Sequence, residues 1–260
     1  MKSRYTITIS FLITINLFFV STTQSMSTPL HGAALRGDIL EAEELLAAGA
    51  AVDARNPFGR TPLHEAARCG RSAFVAFLLS NSANPNERDE YRLTPLHLAA
   101  SNNHSCIAQL LLKSGTDKDA CSCTGDTPLH YAAERLDSAT LSILLMYDAN
   151  VNARNNYGRS PLYSAITQNR TTALRLLLNH NADMEACDNN GKKLIHYAAN
   201  KKKIIATRAL LESGAEMEEV AVAFTPHSTK PNKSNPTAKK TRQPLPDRDN
   251  PLAKRSRLYM

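Results

Sequence analysis

"TPLHYAA", residues 127–133, sets one histidine, His130, between a proline and two alanines. The heptad recurs as "TPLHGAA" from Thr28, "TPLHEAA" from Thr61 and "TPLHLAA" from Thr94. It returns in altered form as "SPLYSAI" from Ser160 and "KLIHYAA" from Lys193. All six starts are 33 residues apart, without insertion or deletion. A fixed period of this length marks a solenoid with one supersecondary unit per repeat.

Other columns keep the same step. A Leu-Leu pair stands at 45–46, 78–79, 111–112, 144–145, 177–178 and 210–211. Four residues after each first Leu come Gly49, Ser82, Gly115, Asp148, Asn181 and Gly214. That column suits a left-handed residue ending a helix, with Ser82 the poorest fit. Before each heptad stand Gly59, Arg92, Gly125, Gly158 and Gly191, where a hairpin turns.

Each unit can be assembled from these parts. The threonine caps a first helix, its hydroxyl accepting an orphan N–H. Proline follows at the first helical position, where its missing donor costs nothing. Leucine and the alanine pair give a thin apolar face that lets neighbouring helices approach closely. A short loop leads to a second helix such as "SCIAQLLL" (105–112), with Cys106, Ile107, Leu110 and Leu111 at helical spacing. The ten residues before the next heptad, "VDARNPFGRT" for instance, make a turn of β-hairpin character. These columns resemble the ankyrin-repeat family over about residues 28–217. The resemblance implies an all-α ankyrin-repeat solenoid of helix-turn-helix units with β-hairpin-like loops. It also implies a protein-binding scaffold that works through hairpin tips and first helices. It further implies that the recurring histidines brace the hairpin and neighbouring backbone.

The ends depart from the pattern. The first unit starts at Thr28 with no preceding hairpin. The sixth has Lys193-Leu194 in place of Thr-Pro, losing a cap worth about 1 kcal/mol, and is expected to fray first. A seventh unit would start at 226, but "FTPHSTKPNKSNP" has displaced Thr-Pro, further prolines and no Leu pair. "VAVAF" (220–224) is a candidate cover for the last apolar face. The expected organisation is a leader over 1–25, repeats over 26–219 and a basic, proline-rich, disordered tail over 220–260.

The net charge of +7 lies in that tail. Residues 1–219 carry 22 cationic and 22 acidic side chains, and the tail has nine Lys or Arg against two Asp. The high isoelectric point therefore says nothing about the folded part. Within the tail, Lys239, Lys240 and Arg242 are separated from Lys254, Arg255 and Arg257 by an 11-residue spacer. This resembles a bipartite nuclear-import signal. Nonspecific anion binding, nucleic acid included, and an inert solvated tail remain alternatives. At the other end, Lys2 and Arg4 precede 16 uncharged residues and then small polar ones, the layout of a secretory signal peptide. The stretch is short for a membrane span. A start at Met26, which would leave the protein in the cytoplasm, and an uncleaved anchor stay open. Five cysteines, an odd number without disulfide-framework spacing, read as free thiols.

No phosphate-cradling glycine loop, HExxH or GxSxG occurs, so no catalytic, cofactor or metal residue is assigned and the chain is not read as an enzyme. His31, His64, His97, His130 and His196 recur one per unit, which argues for a structural job. The binding candidates lie on the hairpins. The tip column reads Phe58, Tyr91, Thr124, Tyr157 and Asn190, flanked by Arg55, Arg60, Arg88, Arg92, Arg154, Arg159 and Lys192. Aromatic and arginine side chains together suit an acidic protein partner; ordinary hairpin residues with solvated charges are the plain alternative. Tyr131 and Tyr197, after the histidine, are the concave-face candidates. An export leader, free thiols and a nuclear-like tail together resemble ankyrin-repeat proteins that intracellular bacteria export into host cells. The expectation is a monomeric, exported, effector-like scaffold with no integral membrane segment once the leader is removed.

Overall fold

The structure is a computed structural model that describes residues 27–200 and 203–212. The leader, the tail with its two basic clusters, and 220–224 lie outside the described residues. Among the described residues twelve helices pair in chain order: α1 (Pro29–Arg36) with α2 (Ile39–Ala47), α3 (Pro62–Arg68) with α4 (Ser72–Ser80), and α5 (Pro95–Ser101) with α6 (Ser105–Lys113). Then come α7 (Pro128–Ala133) with α8 (Ala139–Met146), α9 (Pro161–Thr167) with α10 (Thr171–Asn179), and α11 (Leu194–Asn200) with α12 (Ile204–Glu212).

Each first helix starts one residue after its Thr, Ser or Lys, with proline at the opening position of five of them. The caps are richer than a lone hydroxyl. In α3, α5 and α7 the third helical residue is the histidine, and its ring accepts the cap residue's own N–H in a reciprocal capping box. Only Ser160 uses the simple form among the Thr/Ser caps, accepting the Tyr163 N–H at 3.4 Å.

First helices pack on first helices from α1 through α11, with second helices stacked behind them. The contact is made by small side chains: Ala33, Ala66, Ala99, Ala132 and Ala165 are at most 1% exposed. The leucine after each proline (Leu30, Leu63, Leu96, Leu129, Leu162) is equally buried. Full burial of one leucine is worth about 2 kcal/mol, and here nearly all of it depends on a neighbouring unit. The hairpin-like connections form no regular strand among the described residues; Cys187 and Lys193 make one isolated antiparallel bridge.

Both expected left-handed columns take that conformation. Gly49, Ser82, Gly115, Asp148 and Asn181 all have φ between 56° and 90°, as do Gly59, Arg92, Gly125, Gly158 and Gly191 at the hairpins. A third such column ends the first helices at Gly37, Gly70, Asn103 and Asn169. Its next residue reaches back one unit: Arg71 Nε donates to the Leu35 carbonyl, His104 Nε2 lies 3.1 Å from that of Arg68, and Arg170 Nε donates to that of Glu134.

Unit four breaks this column with Leu136 and Asp137. A leucine resists the left-handed conformation, and Leu136 is absent from the positive-φ residues. The helix α7 stops a residue early, Leu136 is 79% exposed, and Asp137 caps the Ala139 N–H instead of bracing unit three. Arg135 Nε, Ser138 Oγ and Thr140 Oγ1 are buried there without hydrogen-bond partners among the described residues.

Candidate functional site

The hairpins are built on an Asx-type turn. Asn56 Oδ1 accepts from the N–H groups of Phe58 and Arg60, both at 3.0 Å. Asp89, Asn155 and Asp188 repeat this, and the Ser122 hydroxyl does so more loosely. The turn lifts residues 58, 91, 124, 157 and 190 to the tips. Successive tips are stitched together, since the carbonyl groups of Phe58, Tyr91, Thr124 and Tyr157 accept the N–H groups of Glu90, Cys123, Asn156 and Asn189 at 2.8–3.1 Å. The predicted tip column is therefore one continuous row. Phe58 is 55% exposed and Tyr157 40%, while Tyr91 is half-buried.

A histidine ladder runs beneath the row. The Thr61 N–H donates to His64 Nδ1 at 3.1 Å, so the ring proton sits on Nε2, which lies 3.0 Å from the Leu93 carbonyl oxygen. His31 to Arg60, His97 to Asp126 and His130 to Arg159 make the same bond at 2.8–3.1 Å. Burial disfavours the charged form of three of these rings: it lowers His64 to about 3 and His97 to about 4, and lowers His31 as well. With both nitrogens engaged, these four histidines hold hairpins to helices.

The flanking arginines divide into kinds. Arg55, Arg88 and Arg154 each donate to the carbonyl of the residue 33 positions on, Arg88, Cys121 and Cys187 respectively. They brace neighbouring units while Arg55 and Arg154 keep exposed side chains. Arg92 is exposed at φ 58°. Two expectations need correction. Arg60 is not on the open surface: its Nε lies 3.2 Å from Asp89 Oδ2 and its NH1 3.8 Å from Glu65 Oε1, with only 10% of the side chain exposed. Tyr131 is 4% exposed and stands edge-on to His97 at 5.6 Å, so it packs inside the stack.

Tyr197 is brought into a cluster that spacing alone did not reveal. Its ring lies 4.8 Å from that of Tyr163, the residue replacing histidine in unit five. The Arg159 guanidinium lies 4.8 Å from the Tyr163 ring and 5.3 Å from the Tyr157 ring. Lys192 Nζ is 5.6 Å from the Tyr197 ring. Burial pushes the Tyr163 hydroxyl up to about 12, against the pull of Arg159, and raises Tyr197 too. The signal available in the sequence was the break in the histidine column at Tyr163, one unit before Tyr197.

Among the described residues no helix is long and apolar enough to cross a membrane. The family model for ankyrin repeats matches three times, over residues 8–89, 83–155 and 137–221. Among solved structures, the ankyrin repeat domain of Bcl-3, described as a unique member of the IkappaB protein family, is similar at 30% identity with a TM-score of 0.68. The match covers 74% of this chain and 89% of that one. No curated protein matches the sequence.

Proposed function

Because the chain belongs to the ankyrin-repeat family, and its repeats indicate a protein–protein interaction scaffold, we propose that it grips its partner along the hairpin row of a six-unit array. The observation that carries this is the stitched row itself, which presents Phe58 and Tyr157 to solvent on backbone fixed by hydrogen bonds. Rigid aromatic anchors lose little entropy on binding, which is why they dominate interfaces. The partner's surface is acidic in this reading, since cations flank the tips. The protein acts as a monomer without catalysis. Its leader exports it, and it meets proteins of a host cytosol or nucleus, the second address supplied by Lys239, Lys240, Arg242, Lys254, Arg255 and Arg257.

The test is affinity capture from the candidate host lysate with wild type and with Phe58, Tyr91 and Tyr157 changed to alanine. Wild type should retain a set of proteins that the triple variant loses; identical sets would overturn the hairpin-row reading. A second reading, association with nucleic acid, is favoured by nine tail cations against two acids. It requires DNA binding that weakens steeply with salt and disappears when 225–260 are deleted.

A further inference from the structure

We propose that the cluster of Tyr157, Arg159, Tyr163, Lys192 and Tyr197 is the specificity site for an acidic peptide segment, with Arg159 gripping one of its carboxylates. The inference deepens the scaffold reading and rests on it. Two arginines of one column carry it by contrast. Arg60 and Arg159 each precede a helix cap and each have an aspartate 29 residues on, Asp89 and Asp188. Arg60 is saturated by Asp89 and Glu65. At Arg159 both arrangements are gone. Ser164 stands where Glu65 stood, and Asp188 Oδ1 accepts the N–H groups of Asn190 and Lys192 without forming an ion pair to Arg159. Tyr163 stands where His64 stood, and its ring takes the guanidinium that the carboxylates released.

The result is a cation held between two rings, with its Nε buried and without a hydrogen-bond partner among the described residues. Neither Arg159 nor Lys192 has an ion-pair partner among the described residues. A guanidinium is weakly hydrated and presents a planar fork that matches a carboxylate in two places. Stacking on Tyr157 and Tyr163 fixes the fork's plane before any ligand arrives, so less entropy is lost on binding. Lys192, over Tyr197, offers a second cation for a second acidic residue. A long polyanion is the poorer fit, because residues 1–219 carry equal numbers of cations and acids and provide no extended positive field.

The test uses the full chain and a fluorescein-labelled octaglutamate peptide, read by anisotropy at physiological salt. Arg159→Ala should weaken binding about tenfold, the loss expected when one charge-assisted pair is removed. Lys113→Ala, which deletes one exposed cation elsewhere, should change it less than about twofold. Tyr163→His restores the ladder and removes a ring under Arg159, so it should weaken the peptide several-fold without lowering the melting temperature. Equal losses from Arg159→Ala and Lys113→Ala would overturn the site, because the tail charge alone would then explain binding. An unchanged affinity in Tyr163→His would overturn it as well. Inorganic phosphate displacing the peptide at low millimolar concentration would show a general anion site and would also defeat the proposal. If Arg159→Ala has no effect while Phe58→Ala and Tyr91→Ala still lose captured proteins, the scaffold reading stands and this inference alone fails.

Discussion

His97 and Asp126 are joined across 29 residues: the Nε2–H of the ring donates to the Asp126 carbonyl at 3.1 Å. The other nitrogen, Nδ1, accepts the Thr94 N–H at 3.1 Å. One fully buried side chain thus closes the start of its own helix and fastens the next hairpin. Replacing it by leucine keeps the volume roughly but leaves the Thr94 N–H buried without its acceptor and takes one of two donors from the Asp126 carbonyl, which keeps the Ser122 N–H at 3.0 Å. An orphaned buried group costs about 1–3 kcal/mol, so His97→Leu should lose about 1–3 kcal/mol in urea denaturation. A midpoint within error of wild type would refute the bracing role.

The same ladder sets a pH dependence. Burial depresses His64 to about 3 and His97 to about 4, below the 6.5 of an open histidine. Between those values the unfolded chain binds protons that the folded chain refuses, so acid favours unfolding. The stability the neutral rings contribute is fully present above pH 6.5. It falls as the pH drops through the window from 6.5 to about 3–4. A tenfold difference in proton affinity between the folded and unfolded chain corresponds to about 1.4 kcal/mol. Urea midpoints should therefore decline steadily from pH 7 to pH 4.5, and His97→Leu should flatten part of that slope. A profile equally steep in the variant would contradict the assignment.

Arg60 offers a separate check, because its column reads as a contact position and its side chain is a buried ion. Arg60→Ala leaves Asp89 and Glu65 without their shared cation. Glu65 keeps Arg68 Nε at 2.8 Å, so the larger burden falls on Asp89. Breaking a buried pair costs about 3–5 kcal/mol. Arg55→Ala, at a half-exposed surface pair with Glu87, should cost less than about 1 kcal/mol. Similar losses in the two variants, measured by thermal melts, would show that Arg60 is not structurally buried in solution.

The sequence showed the units, the caps and two left-handed columns because each is set by a local rule that repeats every 33 residues. The tip row was legible for the same reason, as it needed only a fixed position in each turn. Long-range use of a side chain was not legible. Arg60 and Arg159 look alike in a column, each with an aspartate 29 positions on, and only the helix that follows, with His64 and Glu65 in one unit and Tyr163 and Ser164 in the other, decides that one meets carboxylates and the other rings. Tyr131 likewise reads as a variable surface position, yet the His97 ring from the previous unit covers it. The column of Arg71, His104 and Arg170 was available but silent, since a nitrogen-bearing side chain at a helix start suggests nothing until its carbonyl partner is seen.

Unit four carries a correctable departure. Asn stands in the Leu136 column at 103 and 169, with φ 57° and 58°. Leu136→Asn should let the chain take the same left-handed turn. Asp137→Arg should then restore the reach to the carbonyl 36 residues back, that of Ser101, as Arg71 and Arg170 make it in their own units. Leucine would pay about 1–2 kcal/mol to take that turn and so avoids it, whereas asparagine takes it at little cost and regains the brace. The double variant should therefore gain about 1 kcal/mol and slow hydrogen exchange at residues 134–140. Lower stability in the double variant would mean that the present loop is the favoured one and the buried polar atoms there are satisfied in solution.

The last described pair, α11 and α12, should be the first to open. Lys193 and Leu194 replace the cap and the pre-set first turn, and the ion pair of Lys193 with Glu185 at 3.0 Å is too exposed to compensate. Local opening in a repeat array runs from the units with the weakest interfaces. Amides of residues 194–199 should therefore exchange faster than those of 95–101, in the middle of the stack. Lys193→Thr with Leu194→Pro rebuilds the heptad. It should slow that exchange several-fold, since a recovered cap is worth about 1 kcal/mol. Equal protection of the two helices in the wild-type protein would show that α11 is held by more than its own first turn and the helix before it.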